Sequence, residues 1–489
     1  MKKISLILCA VVATIGVLSG CAGGQSNGGG AASNIRWYMP IGSNADNTTI
    51  FEKASELAKE KIGVGLDIIP LEFANYDSKM QVLNASGETF DLMFTSNWAN
   101  NYNNNVSKEI LVDLSSYLQE DFKDLYDTLP DYMWKASEIN GKIYAVPNQQ
   151  IAARMPFIYA AAQNEELLGF DTSLFYDGMD YKELLDVCES YFRLVKEKEN
   201  TYTSFTRFWN GTSYVFGMEE VIGSSLPGVV RYNSDEPTKV INQYESEEFQ
   251  YYITLRRKWV QEGLTQQEIS SERHFDYSND KVIPALLLGA TYKPGIESEL
   301  ENSHEFKSQI LMKGDPVLTT GGITATMTGI SVTSKMPEKA METIRLLNTD
   351  KEIYNLLSFG IEGLNYTKTG ENRIAPIADH LYTSSNWAIG SVYNSFILPE
   401  QADDVWEQTQ KINDSAFRSP LLGFAPQTED LNKEIAACQS IVDEFLDGLD
   451  YGVAEDGTYE KFIQKLKTGG CDKIIDEMQR QIDAWLAQR

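Results

Sequence analysis

Apolar and polar positions alternate in a regular helix–strand rhythm from residue 35 onward. Ile35 to Met39 reads as a short strand, and 40–47, rich in Gly, Ser, Asn and Asp, as a turn. From Thr48 to Ile62 the apolar residues Ile50, Phe51, Ala54, Leu57, Ala58 and Ile62 return at helical spacing, and Gly63 ends the pattern. Val64 to Leu71 predicts a buried strand, Tyr76 to Ser86 a helix, and Phe90 to Phe94 another strand. Strands alternating with helices predict a parallel sheet covered on both faces, an α/β arrangement. Ligands then gather at the carboxyl ends of the strands, which places the turns 40–47, 72–76 and 95–105 along one edge.

A second unit begins near Pro147. Met155 to Ala161 is strand-like, while Tyr181 to Lys198 and Glu247 to Glu262 read as helices. Gly321 to Thr333 reads as a strand, and the helix after it starts with Pro337 in its first turn. Helical patterns then run to the C-terminus, and no internal repeat interrupts them.

The first residues follow a different pattern. Lys2 and Lys3 precede an apolar run, Ile4 to Leu18, which leads into Leu18-Ser19-Gly20-Cys21. A basic start, a short apolar core and small exit residues describe a secretory signal over 1–20. The run is shorter than the roughly 20 residues that span a bilayer. The Cys directly after Ser-Gly resembles a bacterial lipobox, in which that Cys becomes the lipidated first residue. Residues 22–33 are almost all Gly, Ala, Ser and Asn, a flexible tether with a reach of about 20 Å. These features together predict a body held at the extracytoplasmic face of the cell membrane by acyl chains on Cys21.

The chain has 489 residues, too many for one ordinary core, so two lobes are expected. Its 42 basic and 70 acidic residues give a net charge of −28, which disfavours nucleic acid as a partner. Beyond Cys9 and Cys21 there are only Cys188, Cys438 and Cys471, with no CxxC pair. They read as buried free thiols, and a bridge between Cys438 and Cys471 stays open. The histidines 274, 304 and 380 lack metal-ligand spacing, and no Walker loop, GxSxG, GxGxxG or HExxH motif occurs. No cofactor is expected.

Several stretches resemble the family 1 extracellular solute-binding proteins of ABC importers. Asn140-Gly141-Lys142-Ile143-Tyr144-Ala145-Val146-Pro147 is similar to the strand that enters their first hinge. Phe157-Ile158-Tyr159 followed by Glu165 to Asp171 resembles their "YNKDLLEKYGLD" stretch, with Ala160 where the family has Asn. Gly329 to Met341 resembles the element that returns to the first lobe. Phe359-Gly360-Ile361-Glu362-Gly363-Leu364-Asn365-Tyr366 resembles the signature of LipO-type lipoproteins. Ser419 to Phe424 and Gly470 to Trp485 resemble that subfamily's C-terminal domain of unknown function.

The resemblance implies a two-lobed, periplasmic-binding-protein-like α/β fold with a helical C-terminal extension. Three hinge crossings are placed near 148–153, 318–326 and 374–382. Lobe one would comprise 34–150 and 325–377, and lobe two 151–324 and 378–489. The implied function is capture of an oligosaccharide between the lobes and its delivery to ABC permease subunits, by a monomeric protein that is not an enzyme. A glycoside hydrolase, a glycan-binding surface adhesin, and the same binding class with a peptide or other solute are the alternatives.

A sugar site needs flat apolar faces and polar groups for hydroxyls. Trp98 lies in an Asn-rich loop just after a strand, with Asn100 beside it. Trp209 and Asn210 fall where the family's second lobe offers a cleft loop, and Tyr292 matches its stacking position. Trp387 follows the third implied crossing. Asn44 and Asp46 sit in the first strand-to-helix turn, as ligand contacts or as a helix cap. Glu362 either accepts sugar hydroxyls or holds its loop through backbone N–H groups. Trp37 and Trp485 follow core patterns.

Overall fold

A computed structural model describes residues 34–41, 47–209, 213–223, 225–269, 278–304, 306–382 and 384–488. The first lobe is built on five strands in the order Leu66–Leu71, Ile35–Pro40, Leu92–Thr95, Met327–Ile330, Ala145–Pro147. The first three run parallel, with Ile35 opposite Leu66 and Trp37 opposite Leu92. The return strand Met327–Ile330 is antiparallel to both its neighbours, where an all-parallel sheet was expected. The stretch 321–333 is not one strand, since a short helical turn, Thr320–Ile323, precedes it.

Helix Thr48–Ile62 turns Ile50, Ala54 and Ala58 into the core and ends at Gly63. Gly63 takes the left-handed conformation (φ 79°), so its N–H reaches the Lys59 carbonyl. Helix Pro337–Thr349 starts on its proline and buries Ala340, Met341, Ile344 and Leu347. Trp37 is in this core, as its strand pattern predicts.

The second lobe carries the strand order Ser308–Lys313, Phe157–Ala161, Ala285–Gly289, Ser204–Phe205. Helices Tyr181–Glu199 and Glu247–Gln261 share its core with the C-terminal helices Asn432–Asp450, Thr458–Gly469 and Cys471–Leu486. Cys188, Cys438 and Cys471 are buried free thiols, and no bridge joins the last two. Trp485 packs edge-on against Phe424. A polar knot pins the extension to the lobe. Asp450 accepts from the Phe208 N–H at 3.2 Å and from the Tyr252 hydroxyl, while Arg256 Nε donates to the Asp450 carbonyl at 2.7 Å.

Three segments join the lobes, and Val317–Leu318 is the middle one. Val317 and Arg154 exchange both backbone hydrogen bonds at 2.8 Å. On its other side Val317–Leu318 pairs in parallel with Phe417–Arg418. The third crossing therefore lies at Phe417–Arg418, not at 374–382. Ile374–Pro376 instead closes a hairpin with Tyr366–Lys368. Residues 386–416, assigned to lobe two from sequence, pack on lobe one. Ile389 and Ala416 sit in its core, and the Tyr354 hydroxyl donates to the Asn386 carbonyl at 3.1 Å.

Asn413, from helix Val405–Ser415, holds the first crossing in place. Its Oδ1 accepts from the N–H groups of Ala152 (2.9 Å) and Ala153 (3.0 Å), and its Nδ2 donates to the Gln150 carbonyl at 2.7 Å. The site is buried, so losing the amide strands two N–H groups away from water. Asn413→Ala is expected to destabilise the protein by about 2 to 4 kcal/mol, measured by denaturant melts. A loss under about 0.5 kcal/mol would contradict the bridging role.

Candidate ligand-binding cleft

The loop after Leu92–Thr95 is folded by its own asparagines and serine. Ser96 Oγ accepts from the N–H groups of Trp98 (3.2 Å) and Ala99 (2.8 Å). Asn100 adopts φ 45°, a conformation Asn tolerates better than most residues. Its Nδ2 donates to the Phe94 carbonyl at 2.8 Å and its N–H to Asp77 Oδ1 at 2.7 Å. Asn105 Nδ2 donates to the Asn100 carbonyl at 2.8 Å. With the backbone satisfied inward, Trp98 is left 54% exposed, and its indole N–H donates to the Ala325 carbonyl at 2.8 Å.

Two further rings meet it. Phe73, the first residue of helix Phe73–Ser86, lies just past the carboxyl end of Leu66–Leu71. Its ring stacks 6.0 Å from Trp98 (26°) and 5.5 Å from Trp387 (20°). Trp98 and Trp387 are 6.2 Å apart, and Phe94 stands edge-on beneath both. The outcome is an aromatic wall on lobe one, at the strand edge where the topology predicts ligands.

Two cavities open beside this wall. One, of about 310 Å³, lies between Trp98, Trp387, the first crossing at 150–154, and Thr291 and Lys293 of lobe two. The other, of about 640 Å³, has Asn97, Trp98 and Asn101 on the lobe-one side and Tyr214, Glu219 and Glu220 on the lobe-two side. Trp98 and Arg154 line both. The pair spans the volume range of small-molecule sites, with flat apolar faces on one side and convergent polar groups on the other.

The polar side is unusual in its protonation. Glu219 is only 4% exposed and takes a hydrogen bond from the Ser419 hydroxyl. Burial outweighs that bond and, with the nearby Glu220 charge, pushes the Glu219 carboxyl up to about 8. Tyr214 is pushed far above its ordinary range, first by burial and then by Glu220 and Glu219, with Arg154 opposing. Both groups enter the cleft as neutral hydrogen-bonding partners at neutral pH. No cluster of His, Cys, Asp or Glu suited to a metal occurs among the described residues.

Of the residues singled out from sequence, Trp98 and Trp387 are brought together. Tyr292 lies on lobe two, edge-on to Phe157 at 6.0 Å with Lys313 over its ring; its neighbours Thr291 and Lys293, not its own side chain, line the smaller cavity. Trp209 is not in the cleft. It is fully buried against Phe216 (4.5 Å) and Phe249 (4.8 Å), with its indole N–H donating to Gln243 Oε1 at 2.7 Å, and so serves the lobe-two core. Asn100 points inward and shapes the loop. Glu362 is exposed, pairs with Lys368 at 3.1 Å and lines neither cavity. Cys21, Asn44, Asp46 and Asn210 lie outside the described residues. Phe73, Arg154, Tyr214 and Glu219 were not foreseen. Phe73 falls inside the predicted turn 72–76, so an aromatic search of that turn would have found it.

Residues 420–487 match the family described as Domain of unknown function (DUF3502). A carbohydrate ABC transporter substrate-binding protein of Streptococcus pneumoniae serotype 4 (strain ATCC BAA-334 / TIGR4) is 29% identical over 512 aligned residues, covering 100% of this chain and 99% of the relative. The crystal structure of the N-glycan transport solute binding protein NgtS from Streptococcus pneumoniae superposes with a TM-score of 0.79 at 27% identity, over 93% of this chain and 99% of that one. Over nearly its whole length the chain is similar to substrate-binding proteins of carbohydrate ABC transporters.

An extracellular solute-binding protein from Bifidobacterium longum subsp. infantis shares the fold of this chain at 14% identity, with a TM-score of 0.61 and coverage of 93% and 99%. These relatives are binding proteins, and the hydrolase alternative finds no support among them. NgtS has also been solved in complex with Man1GlcNAc and with Man5GlcNAc, at TM-scores of 0.71 and 0.69.

The raised Glu219 carboxyl makes stability depend on pH. The folded chain holds this proton up to about pH 8, whereas an unfolded glutamate releases it near its ordinary value of 4.5. Within that window the folded state binds more protons than the unfolded one, so the contribution is full below the window and falls as pH rises through it. Glu219→Gln keeps a neutral side chain throughout. Its melting temperature relative to wild type is expected to climb from about pH 5 to about pH 8.5. A difference that stays flat would mean that Glu219 titrates normally.

Proposed function

We propose that this solute-binding protein captures an oligosaccharide between its lobes and hands it to an ABC permease, while tethered to the outer face of the membrane through Cys21. The observation that carries the glycan reading is the Phe73–Trp98–Trp387 wall, in which Trp98 lines one cavity with Tyr214 and Glu219, and Trp98 and Trp387 line the adjoining one. Aromatic faces suit the apolar faces of pyranose rings, and the opposite polar side suits their hydroxyls. The N-glycan oligosaccharides named in the NgtS complexes are the first ligands to test.

Calorimetry with Man1GlcNAc and Man5GlcNAc tests this. Phe73→Ala, Trp98→Ala and Trp387→Ala are each expected to weaken binding by about 1 to 3 kcal/mol, roughly 5- to 150-fold, with little change in melting temperature. Trp209→Ala is the contrast and should mainly lower stability, by about 3 to 5 kcal/mol. Normal binding in all three wall variants would show that the rings are not platforms. Binding of peptides and of no glycan would overturn the ligand class.

The tether rests on Lys2-Lys3, the apolar run and Leu18-Ser19-Gly20-Cys21, followed by the Gly-rich 22–33. In the native host, Cys21→Ala should release the protein to the medium or leave its signal uncleaved. Membrane retention at the wild-type level, with no acyl mass on the wild-type chain, would reject the anchor.

A further inference from the structure

Arg154 and Trp98 are the two residues that line both cavities. They come from different parts of the protein. Trp98 belongs to the lobe-one loop, while Arg154 sits on the first hinge crossing. The Arg154 backbone is fixed by paired hydrogen bonds with Val317, both 2.8 Å, so its side chain starts from an anchored point. Its guanidinium has no side-chain hydrogen bond or ion pair among the described residues. A guanidinium offers five N–H donors and no acceptor. A guanidinium is weakly hydrated and its planar fork suits paired hydrogen bonds, so an unpaired one in a cleft is free to receive a ligand's oxygens.

The charges around it define what it can receive. Glu219 and Glu220 line the same cavity, and Arg154 is near enough to Tyr214 to act on its hydroxyl. The junction is therefore not a strongly cationic pocket built for an anion. It presents a flat indole face from one side and unused donors from the other. A sugar ring at this point would stack on Trp98 and give its hydroxyl oxygens to Arg154.

We infer that Arg154 is a specificity-determining residue that reads the ring crossing the junction, so that the cleft selects glycans of at least two rings, long enough to occupy both cavities. This rests on the glycan reading above. A single ring can lodge at the far end of the smaller cavity, beside Trp387 and Gln150, without reaching the junction where Arg154 and Trp98 border both cavities. A disaccharide or longer chain must pass between Trp98 and Arg154.

The test is calorimetry with mannose, Man1GlcNAc and Man5GlcNAc on wild type, Arg154→Ala and Arg154→Lys, with thermal melts as a check on folding. Wild type should bind Man1GlcNAc at least about tenfold more tightly than mannose, and mannose too weak to measure counts as the same preference. Arg154→Ala should lose about tenfold or more for the two longer glycans, the size of a lost hydrogen bond to a charged group, and no more than about threefold for mannose. Arg154→Lys should recover only part, because an ammonium lacks the planar fork. Should the alanine variant fail to fold, Arg154→Gln gives the same readings with most of the stem kept. Equal losses for all three sugars, or none, would overturn the role of Arg154 while leaving glycan binding intact. No binding of any of the three sugars to wild type would remove the ligand class, and this inference with it.

Discussion

The backbone hydrogen bonds of Val317–Leu318 are the constraint on which the rest depends. This short middle strand pairs with Arg154 on one side and with Phe417–Arg418 on the other, so the three connections between lobes form one small ribbon. Because backbone pairing fixes register, the ribbon sets where each neighbouring side chain begins. Arg154 emerges from its first member into the cleft. Ser419 follows its third member and reaches Glu219 on lobe two. Asn413 approaches from lobe one and fills the bonds that the first crossing leaves open. Hinge and candidate cleft are in this sense built from the same few residues.

The C-terminal helices bear on that arrangement from behind. Although residues 420–487 match a domain of unknown function, they do not stand apart from lobe two. Phe445, Phe462, Ile474 and Met478 share a core with Leu184, Phe192, Phe249 and Trp259. Asp450 buries its carboxyl against Tyr252 and its carbonyl against Arg256, an arrangement whose removal would leave polar groups stranded in an apolar interior. The extension is thus part of what makes the second wall of the cleft rigid.

The sequence was most legible where periodicity is local. Helix Thr48–Ile62 and the start of Tyr181–Glu199 fall where the apolar spacing puts them, because each buries one continuous stripe. Helix Phe73–Ser86 begins three residues early, since Glu72 makes no side-chain cap and nothing in the pattern marks the start. The third crossing was misplaced because Ile374–Pro376 looks like a connecting strand and only its pairing with Tyr366–Lys368 shows it to be a hairpin. Trp98 and Trp387 were legible from loop placement, and Phe73 was hidden at the start of a helix. Trp209 was misread because the group that satisfies its indole, Gln243, lies on a distant segment. A ring with polar sequence neighbours looks exposed until its long-range partner is known.

One detail of the Asn-rich loop has a consequence for what the protein can tell apart. Trp98 already gives its only side-chain donor to the Ala325 carbonyl. What remains for an incoming molecule is a fixed, featureless plane, held by a backbone whose polar groups are already occupied. Such a surface costs little conformational entropy to use, since it is ordered before anything arrives. It contributes no directional hydrogen bond, so it senses only whether the face of the ring laid on it is apolar and unobstructed. The direction of each hydroxyl in the plane of a bound ring could be read only by the opposite wall, where directional hydrogen bonds can be made. Variation among relatives in that wall, with the aromatic side unchanged, would be a route from one sugar to another without rebuilding the grip.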